Sequence, residues 1–164
     1  MDQKLYGFVR TYCACETCQD YCKNISGMVS PLDLKRWQCT LRDGFEDWAF
    51  YHLAASPGAL AQMHGKIIEI PTICMARRRP NGQCVMLTPS LQCSIHEDAP
   101  YGCAYFDHTL SGSAEGNKRS EAALLDILYD WTTDGPYSAL WQKLAAAGHT
   151  VEAPEISRQK LKKP

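Results

Sequence analysis

Seven of the nine cysteines in this 164-residue chain stand in two groups, Cys13, Cys15, Cys18 and Cys22, then Cys84, Cys93 and Cys103. The first group puts four thiols into the ten positions from 13 to 22, in the stretch CACETCQDYCK. Thiols so placed form a disulfide framework, a metal site or a catalytic pair, or are buried as small apolar residues. A chain of this length buries roughly 70 % of its unfolded surface and needs no crosslinks to fold. The N-terminal stretch MDQKLYGFVRTYC has no apolar run between a basic segment and a small-residue cleavage site, and no stretch approaches the roughly 18 apolar residues of a membrane span. The default expectation is therefore a cytoplasmic protein. In that reducing compartment an odd number of cysteines points to metal binding or catalysis rather than to disulfides. Cys39 and Cys74 stand alone and are read as buried apolar residues.

Within the first group, C-x2-C-x3-C runs from Cys15 to Cys22. Two residues between thiolates is the spacing at which a tight turn points both sulfurs at one metal, in zinc and iron–sulfur sites alike. The second group is C-x8-C-x9-C. Neither is a complete site alone. Joining Cys22 to Cys84 closes a loop of 61 intervening residues, at about 4 kcal/mol by the logarithmic estimate. Structural zinc binding, worth about 10 to 16 kcal/mol in small peptides, offsets that closure.

The remaining pattern predicts an α+β fold: a small, irregular, Cys-rich metal-binding domain with a short β-hairpin and several helices. Ser30, Pro31 and Asp33 supply a cap, a first-turn proline and a first-turn acid for a helix over 31–37. In residues 42–56, Phe45, Trp48, Tyr51 and His52 recur at helical spacing as an aromatic stripe facing a core, until Ser56-Pro57-Gly58 interrupts. The β-branched run KIIEIPTICM (66–75) and the run QCVML (83–87) flank Pro80-Asn81-Gly82 and predict a hairpin, with Pro71 marking an edge strand or bulge. Residues 111–119 read as a loop, Ser120 as the cap of one helix, and 136–147 as another that stops at Gly148. Trp37, Trp48, Trp131 and Trp141 read as packing groups. The chain is taken as one domain, with a cysteine-rich part over 13–107, a helical part over 120–148 and a solvated basic tail.

CETCQDYC, the helix after it, QCVML and CSIHEDAPYGCAYF together resemble a family of zinc- or iron-chelating domains known for a CxxCxxCC cluster. The resemblance covers roughly residues 13 to 107. It implies that Cys15, Cys18, Cys22, Cys84, Cys93 and Cys103 are metal ligands. Tyr21 stands where the family has a further cysteine, His96 where it has a tyrosine, and Ala99 where it has an arginine. Cys13 and His96 are therefore the candidates for an additional donor.

Chemistry favours an iron–sulfur cluster, of the [4Fe–4S] type, or iron, because six cysteines overfill one tetrahedral zinc site and underfill two. A redox or peptide-modifying role would follow, with a protein or peptide partner. The alternative is zinc in a structural interaction module without catalysis. A third class is a thiol oxidoreductase using Cys15 and Cys18. Arg77, Arg78 and Arg79 are read as an anion site, as a solvated hairpin end, or as compensation for nearby thiolates. A net charge of −1, with 21 % charged and 45 % hydrophobic residues, suggests neither a nucleic-acid nor a membrane partner. No phosphate-binding loop, nucleophile elbow or carboxylate pair is evident.

Overall fold

A computed structural model describes residues 16–25, 27–63, 66–78, 81–105 and 113–151. It is a mixed helix and strand fold built on a three-stranded antiparallel sheet. The first helix, α1 (Glu16–Asn24), leads into a two-residue edge strand, β1 (Met28–Val29). Helix α2 (Pro31–Leu41) follows, starting at Ser30, whose hydroxyl accepts from the Asp33 N–H while the Asp33 carboxylate accepts from the Ser30 N–H. This reciprocal capping box satisfies two orphan donors of the first turn.

A 3-10 turn at Arg42–Gly44 joins α2 to α3 (Phe45–His52). The predicted stripe on α3 is only partly buried: Phe45 and Ala49 face the core and Trp48 stacks on His52 with centroids 4.7 Å apart, but Tyr51 is 74 % exposed. The helix also ends sooner than its sequence suggests. From Leu53 the chain is extended, and β2 (Leu53–Met63) pairs antiparallel with β3 (Lys66–Met75) along its length.

The main hairpin is therefore β2–β3, and β3 is the central strand, in the order β1-β3-β2. Its register slips between Ser56 and Ala59, opposite Pro71. Proline lacks the N–H that a regular ladder needs, and a bulge is where a strand tolerates it. Two indoles close on the bulge: Trp131 Nε1 donates to the Pro71 carbonyl at 3.0 Å and Trp141 Nε1 to that of Ser56 at 2.9 Å. Beyond β3, the predicted Asn-Gly turn exists, since Gly82 N–H bonds Arg78 O and Arg78 N–H bonds Gln83 O, but it carries one isolated bridge, Arg77 to Cys84, rather than a second strand.

After α4 (Tyr101–Tyr105), helix α5 (Ala114–Thr132) begins at a Ser113 cap, seven residues before the predicted Ser120. Much of the expected loop is thus helix. Helix α6 (Pro136–Ala146) follows the predicted limits closely. Its start is capped from α5: the Asp130 carboxylate accepts the N–H groups of Tyr137 and Ser138 at 3.2 and 2.8 Å. The core between sheet and helices contains Val29, Leu34, Leu53, Ile70, Ile73, Ile127, Tyr137 and Leu144. No helix among the described residues is long and apolar enough to cross a membrane.

Candidate metal centre

Cys22 and Cys84, one cysteine of each group, meet at the end of α1. The Cys84 N–H donates to the Cys22 carbonyl at 2.9 Å, so the 61-residue loop is closed by a direct backbone bond. Arg77 locks the same junction. Its guanidinium donates to the carbonyls of Lys23 and Asn24, at 2.9 and 2.8 Å, and to that of Gly82 in the turn. A cation on the last carbonyls of a helix suits the helix dipole, and the planar fork can hold three acceptors at once.

Cys84 is buried, and burial pushes its thiol up. Four groups offset part of that rise: the nearby backbone amides of Met86 and Leu87 and the positive charges of Arg77 and Arg78. Burial outweighs these groups, so the thiol stays protonated to a higher pH than an exposed cysteine would. Cys93 lies across a bridge from Leu87, and its carbonyl accepts from His96 at 3.3 Å, which brings His96 one turn after it. Cys22, Cys93 and Cys103 are half-buried against the core.

Cys103 is placed by backbone contact. A Cβ on Gly27 would lie 2.0 Å from the Cys103 sulfur and 2.9 Å from its nitrogen, and one on Gly102 would lie 2.2 Å from the Met28 nitrogen. Only glycine permits α4 and β1 to approach so closely. Gly27 also ties this contact to the sheet, since its carbonyl accepts from Met75 N–H at 3.1 Å. The start of α4 is anchored by Asp33, fully buried, whose carboxylate accepts the Tyr101 N–H at 3.0 Å together with the Ser30 N–H and hydroxyl. Arg36 completes the cluster, donating to Asp33 at 3.2 Å and to the side chain and carbonyl of Asp98.

Among the described residues no three His, Cys, Asp or Glu side chains form a group that could hold a metal ion. Cys13 and Cys15 lie outside the described residues. Cys18 is on α1 one turn before Cys22, so the chain is already helical where the spacing suggested a tight turn. The two lone cysteines differ from one another. Cys74 is buried as expected, its thiol donating to the Ala54 carbonyl at 3.6 Å. Cys39 is exposed, because α2 turns Asp33, Leu34 and Trp37 inward and position 39 falls outside that stripe.

Sequence reasoning saw Asp33 only as a first-turn acid and missed its link to Tyr101. The Ser30–Asp33 spacing signals the capping box, but no local signal names a partner 68 positions away. No protein family, no curated protein and no solved structure was found to match the chain.

Proposed function

We propose that the chain is a thiolate metal-binding protein of the reducing cytoplasm, holding an iron–sulfur cluster or iron through Cys22, Cys84, Cys93 and Cys103 with Cys15 and Cys18. Cys13 or His96 would supply a further donor. The observation that carries this reading is the backbone bond that joins Cys84 to Cys22, with Arg77 and Arg78 beside the Cys84 thiol to offset the charge that a metal-bound thiolate would carry. The chemistry of the donor set suits the group, since a cluster accepts sulfur ligands from distant segments. Because no three of Cys22, Cys84, Cys93 and Cys103 form a metal-holding group among the described residues, binding would have to draw them together. Arg77 and Arg78 would compensate the thiolate charge, the third of the roles considered for this arginine run. Cys74 stays outside the set, because its buried thiol is pushed up to about 12 and remains neutral.

A bound cluster would supply one-electron transfer, serving a redox or peptide-modifying role toward a protein or peptide partner. A structural zinc is the second reading. It is favoured by the segment from Cys84 to Cys93, whose ordering rests on isolated bridges and turns rather than on strands, as a stapled loop would. The deciding measurement is metal and acid-labile sulfide content, with a visible spectrum, on protein purified without oxygen or added metal. Iron with sulfide and a brown colour would support the cluster. Zinc in colourless protein would support the staple, and protein without either metal would overturn both.

A further inference from the structure

A cleft of about 450 Å3 opens where the chain leaving β3 faces the chain leaving α6. Leu53 and Ala54, buried in β2, underlie it, and its open lining includes the half-buried Ala76 and Val151 with the exposed Arg78, Ala147, His149 and Thr150. None of its described lining residues is acidic. Sites for small molecules have this size, and combine an apolar wall with a few convergent polar groups.

The charge of the cleft is not consumed by the fold. Ion pairs among the described residues use Lys23, Arg36, Arg119 and Lys143 as their cations, not Arg78. Arg78 donates from one guanidinium nitrogen to the Val85 carbonyl at 2.7 Å, which orients the fork and leaves its other nitrogen groups for a ligand. Arg77, also in the lining, is committed to three carbonyls but adds its charge. The end of α6 would oppose an anion through its partial negative charge. That end is closed: the N–H groups of Ala147, Gly148 and His149 bond the carbonyls of Lys143, Ala145 and Leu144 at 2.9 to 3.0 Å.

We propose that this cleft binds a small organic anion, with a carboxylate or phosphoryl head held by Arg78 beside His149 and Thr150 and an apolar body against Ala76, Ala147 and Val151. Guanidinium groups recognise both kinds of oxyanion through paired hydrogen bonds. The cleft adjoins the cysteine centre and shares Arg77 and Arg78 with it, but the proposal requires no metal.

The test is a titration of the isotope-labelled full chain at constant ionic strength, with inorganic phosphate in one series and succinate in the other, followed by amide chemical shifts. Saturable shifts confined to residues 76–78 and 148–151 are expected. The series that saturates at lower concentration identifies the head group, and either supports the proposal. Arg78→Ala should weaken binding at least about tenfold. Because that change also removes the bond to Val85, His149→Ala provides a second variant on a different segment and should weaken binding severalfold. Lys35→Ala, on the exposed side of α2, should bind like the wild type. Non-saturating shifts in both series, or wild-type binding by both cleft variants, would overturn the proposal.

Discussion

The hydroxyl of Tyr137 donates to the carbonyl of Val29 at 2.9 Å, across 108 positions of sequence. The same oxygen accepts the Ile73 N–H at 2.6 Å. Val29 and Ile73 are register partners in β1 and β3, so a side chain from α6 links the short edge strand to the central one. A two-residue strand contributes few ladder bonds, and this hydroxyl supplies both a donor and an acceptor where the edge is weakest. The C-terminal helices and the cysteine-bearing layer are thereby joined through one buried oxygen.

Tyr137→Phe removes that oxygen and leaves a buried carbonyl and a buried N–H without their partner. The expected cost is about 1 to 3 kcal/mol, the penalty of unsatisfied buried groups. Chemical denaturation should show a lower midpoint with an unchanged slope. A midpoint equal to the wild type would mean that β1 and β3 close into a direct bond instead.

Asp33 should be far less replaceable than the other acid of its cluster. Asp33→Ala leaves the Ser30 and Tyr101 N–H groups and one side of Arg36 unpaired in the interior, for an expected loss of about 3 to 5 kcal/mol. Asp98 is 70 % exposed, and Asp98→Ala should cost less than about 1 kcal/mol. Thermal unfolding of the two variants checks this order, and equal losses would contradict it.

What was legible in the sequence followed from local signals. The cap at Ser30-Pro31, the β-branched run of β3 and the Pro136 to Gly148 helix each carry their own start or stop. Strand β2 did not: LAASPGALAQM is rich in alanine and contains Pro and Gly, and it is extended because pairing with β3 outweighs its weak propensity. Gly116 made the start of α5 look like a loop, yet it is buried in the first turn beneath the Ser113 cap. At the candidate centre, the grouping of cysteines suggested that Cys22 and Cys84 meet. The Arg77 clamp, the amides near Cys84 and the Gly27 contact with Cys103 depend on residues brought together only by the completed fold.

Stability should fall in alkali. Burial, reinforced by Cys84 and opposed by Arg77, pushes the Cys74 thiol from its ordinary 9.0 up to about 12. Burial likewise raises the Tyr137 hydroxyl well above its ordinary 10.0. In this range the unfolded chain releases protons that the folded chain retains. The stabilising contribution is therefore complete below the unfolded values and is lost as pH rises from 9.0 through the folded value near 12. Each such group adds up to about 1.4 kcal/mol per pH unit to the slope. Cys74→Ala should show a shallower decline in denaturation measured from pH 8 to 11, by about one group's share. An identical slope would remove Cys74 as a source.

Arg77→Lys should loosen α1 despite conserving charge, because an ammonium cannot reproduce the planar fork that reaches Lys23, Asn24 and Gly82. Hydrogen exchange should accelerate at residues 20–24 and 82–84 while the β2–β3 amides keep wild-type protection. Uniform acceleration across the chain would indicate a global loss instead.

Gly27→Ala tests the candidate centre without removing any thiol. The added methyl would overlap the Cys103 sulfur and crowd its backbone nitrogen, so α4 must move away from β1. Overpacking of this kind costs about 1 to 3 kcal/mol. If Cys103 is a ligand, the displacement should also lower metal content as Cys103→Ser does, whereas Cys39→Ser, which changes an exposed thiol on α2, should retain it. Metal analysis of the three variants, alongside their melting temperatures, separates the effects. A Gly27→Ala protein that is destabilised yet carries its full complement of metal would place Cys103 outside the centre and leave it a packing residue of α4.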